Sequence, residues 1–197
     1  MIDQQSIVKN YWLTFSKCFP HVNYPTFCQW INSDPYGGWE EAGHTHAAGR
    51  RELKMLYATI LSVVPENILE IGTYKGNSLT HIMAAAKSID SKVTSIDITD
   101  YGGFEGHSFF KKISSLDYLK DHTDHDFVFQ DGNHSEKYVK LEIERLAQIE
   151  TVKTIFAHDC KLYPYIERIY RNTGVFDIYT FSEPAYKAGF LIAKRKS

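Results

Sequence analysis

Three stretches of the chain set groups capable of chemistry directly behind apolar runs: "LEIGTYKGNS" at 69–78, "FQDGNH" at 129–134 and "AHDC" at 157–160. In the first, Glu70 stands inside an apolar run, where a carboxylate is expensive unless it has a partner or a task. Gly72 and Gly76 follow in a G-x-x-x-G spacing, which departs from the G-x-G-x-x-G run that brings backbone amides onto a pyrophosphate. A carboxylate there would repel a diphosphate. It suits a cationic ligand portion such as an amino group, with the glycines letting the backbone come close. Asp97, at the end of the apolar "SIDI", is placed to accept both hydroxyls of a ribose. A nucleoside carrying a cationic amino-acid tail is S-adenosylmethionine.

The other two stretches hold acid and base groups. His134 follows Asp131 by three residues, and His158 and Asp159 close the next apolar run. Imidazole titrates near working pH, and a neighbouring carboxylate favours its charged form, so His134 is the candidate base for a hydroxyl proton, with Asp131 and His158 beside it. Asp131 and Asp159 on adjacent strand ends would also suit a divalent ion such as magnesium, which takes hard oxygen ligands and lowers the pKa of a bound hydroxyl. Upstream, "GHTHAAGRR" brings His44, His46, Arg50 and Arg51, with a conceivable role on the substrate side. Tyr36, Trp39 and other nearby aromatics could stack on an acceptor or form the core of a small cap.

These groups need elements to hold them. After Gly49, Leu53, Leu56, Tyr57, Ile60 and Val64 follow the stripe of a helix packed on a flat surface, ended by Pro65. Strand-like and helix-like segments then alternate: "NILEIG", a helix through Leu79, Ile82, Met83 and Ala86, "KVTSIDI", the weaker "FFKKIS", a short helix near Leu116 to Lys120, and "DFVFQDG". Asn133 with Glu136 reads as a capping box for a helix that buries Val139, Ile143 and Leu146. "TIFAHDC" and the helix "YPYIERIYRN" follow. "FDIYTF" and "GFLIAKR" come last, joined too closely for a crossover helix, and should pair antiparallel. The expected fold is α/β: a doubly wound, mainly parallel sheet with helices on both faces and a C-terminal antiparallel hairpin. Residues 1–47, rich in aromatics and turn formers, read as an N-terminal cap, and 48–197 as the cofactor-binding domain. In such a sheet ligands lie beyond the carboxyl ends of the strands, where the polar residues above collect.

"LEIGTYKGNS", "SIDI", "FVFQDGNH" and "FAHDC" together resemble the successive motifs of class I S-adenosylmethionine-dependent methyltransferases. They are most similar to the small O-methyltransferase-like branch with D-G-x-H and H-D strand ends. The resemblance spans about residues 49–197 and implies a seven-stranded Rossmann-like sheet. It also implies that Gly72, Thr73, Tyr74 and Gly76 line the methionine part, that Glu70 orients that loop and reaches the methionine amine through water or backbone, and that Ser78 contacts the methionine carboxylate. Asp97 would hold the ribose, Ser115 would bracket adenine, and Asp131 would face the sulfonium and the acceptor. Catechol-type relatives carry an Asp-Asn pair on the fifth strand; here Cys160 follows Asp159, so an oxygen ligand for a metal is missing, and either His134 or water substitutes or there is no metal.

The implied activity is methyl transfer to a hydroxyl of a small molecule, such as a sugar or a natural-product intermediate. A second reading is a module that binds the cofactor and transfers nothing; an NAD-dependent dehydrogenase or epimerase is disfavoured by the acidic first loop. With 197 residues, a formal net charge of −2 and no basic run before the terminal Lys194, Arg195 and Lys196, nucleic acid is not an expected partner. Three unpatterned cysteines argue against a disulfide framework and fit a reducing cytoplasm. No apolar run is long enough to cross a bilayer, so a membrane is not an expected partner. A small-molecule acceptor is expected, with a homodimer as a possible assembly.

Overall fold

A computed structural model describes residues 4–35, 49–181 and 188–197. Seven strands form one sheet: β1 (Asn67–Ile71), β2 (Lys92–Asp97), β3 (Phe110–Lys112), β4 (Phe127–Gln130), β5 (Thr154–His158), β6 (Phe176–Phe181) and β7 (Phe190–Arg195). Their spatial order is β3-β2-β1-β4-β5-β7-β6. The first five run parallel, and β7 enters antiparallel between β5 and β6. The expected doubly wound sheet with its late antiparallel hairpin is therefore present. Strand order reverses between β1 and β4, which sets the crevice for ligands at their carboxyl ends.

Side-chain alternation along the central strands sorts the core into two layers. Ile68, Phe127, Phe129 and Phe156 point to one face, where they join α1 (Gln4–Cys18), α2 (Tyr24–Ser33), α3 (Arg50–Val63) and α4 (Asn77–Ile89). Leu69, Ile71, Val128, Ile155 and Ala157 point to the other, against α5 (Ser115–Asp121), α6 (Glu136–Gln148) and α7 (Tyr165–Thr173). The same period fixes the polar residues at the strand ends: Glu70 and His158 belong to the α3–α4 face, and Gln130 to the α6–α7 face.

Residues 4–33 correct the expectation of an irregular, turn-rich N-terminal part. Ile7, Val8, Tyr11, Phe15 and Cys18 form a buried helical stripe that packs in the same cluster as β7's Phe190 and Ile192. The polar and aromatic residues between them are mediocre helix formers, and burial of the stripe outweighs that weak propensity. α2 starts at Asn23, whose side chain accepts from the Thr26 N–H at 2.9 Å, a cap contributing about 1 kcal/mol. It covers the outer side of α3, which is why α3 is buried from Leu53 through Ile60 rather than along one stripe. The expected boundary at residues 47 and 48, and with it Tyr36, Trp39, His44 and His46, lies outside the described residues, as does Pro184 between β6 and β7.

Three local expectations are corrected. Val64 is not part of the α3 stripe: it is exposed, with φ of 50°, at the helix C-cap. Met83 lies on the exposed side of α4. Ser135, not Asn133, is the N-cap of α6; the Asn133 carboxamide accepts from the Ser135 N–H at 2.7 Å in the preceding turn, and Glu136 pairs with Arg168. No helix among the described residues is long and apolar enough to cross a membrane.

Candidate active site

The loop after β1 is shaped by backbone conformation. Gly72 has φ of +94°, and a Cβ there would lie 2.1 Å from the Asp131 carbonyl oxygen. The loops after β1 and β4 therefore touch, and the Asp131 N–H donates to the Ile71 carbonyl at 2.9 Å. Gly76, with φ of +82°, opens α4; its missing side chain makes room for the Phe104 ring, 2.6 Å from where a Cβ would stand. Between them the Tyr74 N–H donates to Asp97 Oδ2 at 2.9 Å, while Asp97 Oδ1 accepts from the Thr99 N–H at 3.1 Å. Gly72, Thr73, Tyr74 and Gly76 thus form one turn beside Asp97. The Tyr74 ring meets Tyr101 at 5.1 Å, and Ile98 and Tyr101 add exposed apolar surface beyond Asp97 that the sequence reading passed over.

Glu70 lies beneath this turn, fully buried. Its Oε1 accepts from the Ser78 hydroxyl at 2.6 Å and its Oε2 from the Ser95 hydroxyl, which also meets the Thr73 hydroxyl at 2.5 Å. Burial pushes Glu70 up to about 7, against the pull of the two hydroxyls, and the charges of Asp131 and Asp97 add to the rise. Glu70 therefore braces the loop through Ser78, Ser95 and Thr73. The Ser78 hydroxyl expected at a methionine carboxylate donates to Glu70 here. The Ser115 hydroxyl donates to Glu142 and meets Tyr138 at 3.0 Å, so its side chain faces α6. Ser95 was legible only as one residue of a strand.

The ends of β4 and β5 carry ionisable groups. His134 Nε2 is 3.5 Å from Asp131 Oδ1 and 3.3 Å from Asp159 Oδ2, and its ring stacks on Tyr163 at 4.7 Å. His158 is buried; its Nδ1 lies 3.2 Å from Asp131 Oδ1 and 3.3 Å from Asp159 Oδ1. Its Nε2 meets Glu52, a residue of α3 absent from the sequence reading. Burial disfavours both imidazolium ions. For His134 the Asp131 and Asp159 carboxylates outweigh it and raise the pKa above the ordinary value; for His158 Asp131 and Glu52 raise it well above. Burial also opposes the charge of Asp131, yet the two imidazoles hold its carboxyl below the usual range. For Asp159 burial prevails and the pKa rises.

Asp131, His134 and Asp159 each offer one ligand atom, all within 4.8 Å of one another. Two carboxylates and an imidazole fit a divalent ion, though a ring nitrogen departs from the all-oxygen set that magnesium prefers. Cys160 does not join them: its thiol donates to the Ala157 carbonyl at 3.2 Å, and burial pushes its pKa well above the ordinary thiol range.

Residues 69–160 match a family described as a methyltransferase domain. No curated protein matches the sequence. A crystal structure of a methyltransferase from Podospora anserina with S-adenosylhomocysteine bound is similar at a TM-score of 0.61 and 11% identity, covering 100% of this chain and 98% of that one. An O-methyltransferase from Bacillus cereus in complex with S-adenosylhomocysteine is similar at 0.61 and 15%, covering 92% and 96%. The matched segment runs from β1 to the end of β5, and the fold is shared with these two methyltransferases.

Proposed function

We propose that the protein transfers a methyl group from S-adenosylmethionine to a hydroxyl of a small molecule, with His134 as general base. The observation that carries this reading is the contact of Gly72 with the Asp131 carbonyl, which sets the imidazole and carboxylate cluster directly against the turn expected to hold the cofactor. S-adenosylmethionine, when bound, supplies an electrophilic methyl group. Asp97 retains acceptor capacity for ribose hydroxyls, and Glu70 braces the Gly72–Gly76 turn from below. At the other side of the crevice His134 takes the proton of the acceptor hydroxyl at Nε2, and Asp131 and Asp159 stabilise the imidazolium that forms. Tyr163 limits rotation of the ring by stacking on it.

A divalent ion is the second reading, favoured by the convergence of Asp131, His134 and Asp159. These three would hold it, and it would lower the pKa of the acceptor hydroxyl.

The deciding experiment is transfer of radiolabelled methyl from S-adenosylmethionine across a panel of hydroxylated small molecules, with and without chelator, beside His134→Ala. Calorimetric titration with S-adenosylhomocysteine runs in parallel on the wild type and Asp97→Ala. Transfer lost in His134→Ala, with cofactor binding retained, supports the assignment. Binding without transfer to any acceptor would favour a binding module, and loss with chelator the metal reading.

A further inference from the structure

Glu52 lies in the first turn of α3, outside the matched methyltransferase segment, with its side chain 1% exposed. Oε2 meets His158 Nε2 and also accepts from the Gly49 N–H at 3.3 Å, while Oε1 has no partner among the described residues. A buried carboxylate with an unsatisfied oxygen is costly, and an apolar or neutral side chain of similar size would pack there at less expense. Packing alone therefore does not account for it.

Strand periodicity explains what Glu52 reaches. Phe156 and His158 stand two residues apart on β5 and share the α3–α4 face, so the His158 ring projects toward the start of α3. With one ring nitrogen on Glu52, the opposite edge of the ring is aimed at Asp131 Oδ1 and Asp159 Oδ1, the same pair of side chains that flanks His134. We propose that Glu52 is a positioning residue: by anchoring His158 Nε2 it fixes the imidazole so that Nδ1 spaces Asp131 and Asp159, and through them sets the place of His134. The inference rests on the methyltransferase reading for its consequence, while the geometry it asserts can be read without any acceptor. It ties α3 to the reacting end of the sheet across 106 residues of sequence.

The test uses the full chain labelled with 15N-histidine, with the ring nitrogens of His134 and His158 assigned through His134→Gln and His158→Gln. In Glu52→Leu the resonances of both His158 and His134 should move, while calorimetric affinity for S-adenosylhomocysteine stays within about twofold of wild type. Glu52→Gln keeps an oxygen that accepts from Nε2–H and should return His134 toward its wild-type position. With an acceptor in hand, kcat of Glu52→Leu should fall ~10-fold or more, the scale of lost outer-shell partners, with acceptor KM unchanged. Movement of His158 alone would overturn the proposal and leave Glu52 a packing residue. Should Glu52→Leu fail to fold, Glu52→Asp, which withdraws the carboxylate by one methylene, carries the same comparison. Absence of S-adenosylhomocysteine binding in the wild type would refute the functional reading while leaving the coupling of Glu52 to His134 measurable.

Discussion

The two sides of the crevice are built by different means. On the β1–β2 side, shape comes from backbone: two left-handed glycines, a tight turn held to Asp97 by a backbone amide, and Glu70 braced by neutral hydroxyls. On the β4–β5 side it comes from side chains, with three carboxylates and two imidazoles crowding one another and contributed by α3, β5 and the two strand-end loops. A backbone-built site fails sterically when altered. A site built from coupled charges fails in its pH response.

Substitutions can break or sharpen that contrast. The largest effect is expected from Gly72→Ala, which combines a left-handed conformation with a Cβ driven into the Asp131 carbonyl; stability should drop by about 3 kcal/mol or more, with S-adenosylhomocysteine binding lost by calorimetry. Near-normal binding would mean the two loops separate at little cost. Next comes Glu70→Gln, compared with wild type by urea unfolding across pH. Between 4.5, its ordinary value, and about 7, its folded value, the unfolded chain has released the Glu70 proton while the folded protein retains it. Its favourable contribution is therefore full below 4.5 and is lost as pH rises toward 7, by on the order of 3 kcal/mol. A constant difference between the two proteins across this window would show that burial does not govern Glu70.

Asp159→Asn tests the charged side. Removing a carboxylate 3.3 Å from His134 Nε2 destabilises the imidazolium, so the rise of transfer rate with pH should move to lower pH. An unmoved profile would remove Asp159 from the base's surroundings. Val64→Gly serves as the baseline away from both sides: relieving a branched residue of φ 50° at an exposed helix end should raise the unfolding free energy by about 0.5–1 kcal/mol, leaving cofactor affinity unchanged.

The same contrast decides what the sequence makes legible. Glycine spacing, an acid in an apolar run and alternating apolar segments are local signals, so the sheet, its closing hairpin and the turn after β1 could be read directly. Glu52 could not: "GRRELKML" is an ordinary helix start, and its partner His158 is far along the chain. The bonds of Ser78 to Glu70 and of Ser115 to Glu142 were illegible for a related reason, since the number of hydroxyls near a ligand site says nothing about which meet a buried carboxylate. The N-terminal helices were hidden because their stripe is justified only by the sheet face it covers.

The insertion of β7 between β5 and β6 also bears on how the protein is made. During synthesis β5 emerges long before residues 190–195, and until those residues arrive its outer edge has no hydrogen-bonding neighbour. His158, paired with Phe190 across that edge, cannot be locked in place by local folding of the nascent chain. The turn after β1 can take shape while the ribosome is still at work, whereas the charged side must wait for a long-range pairing, a slow class of step.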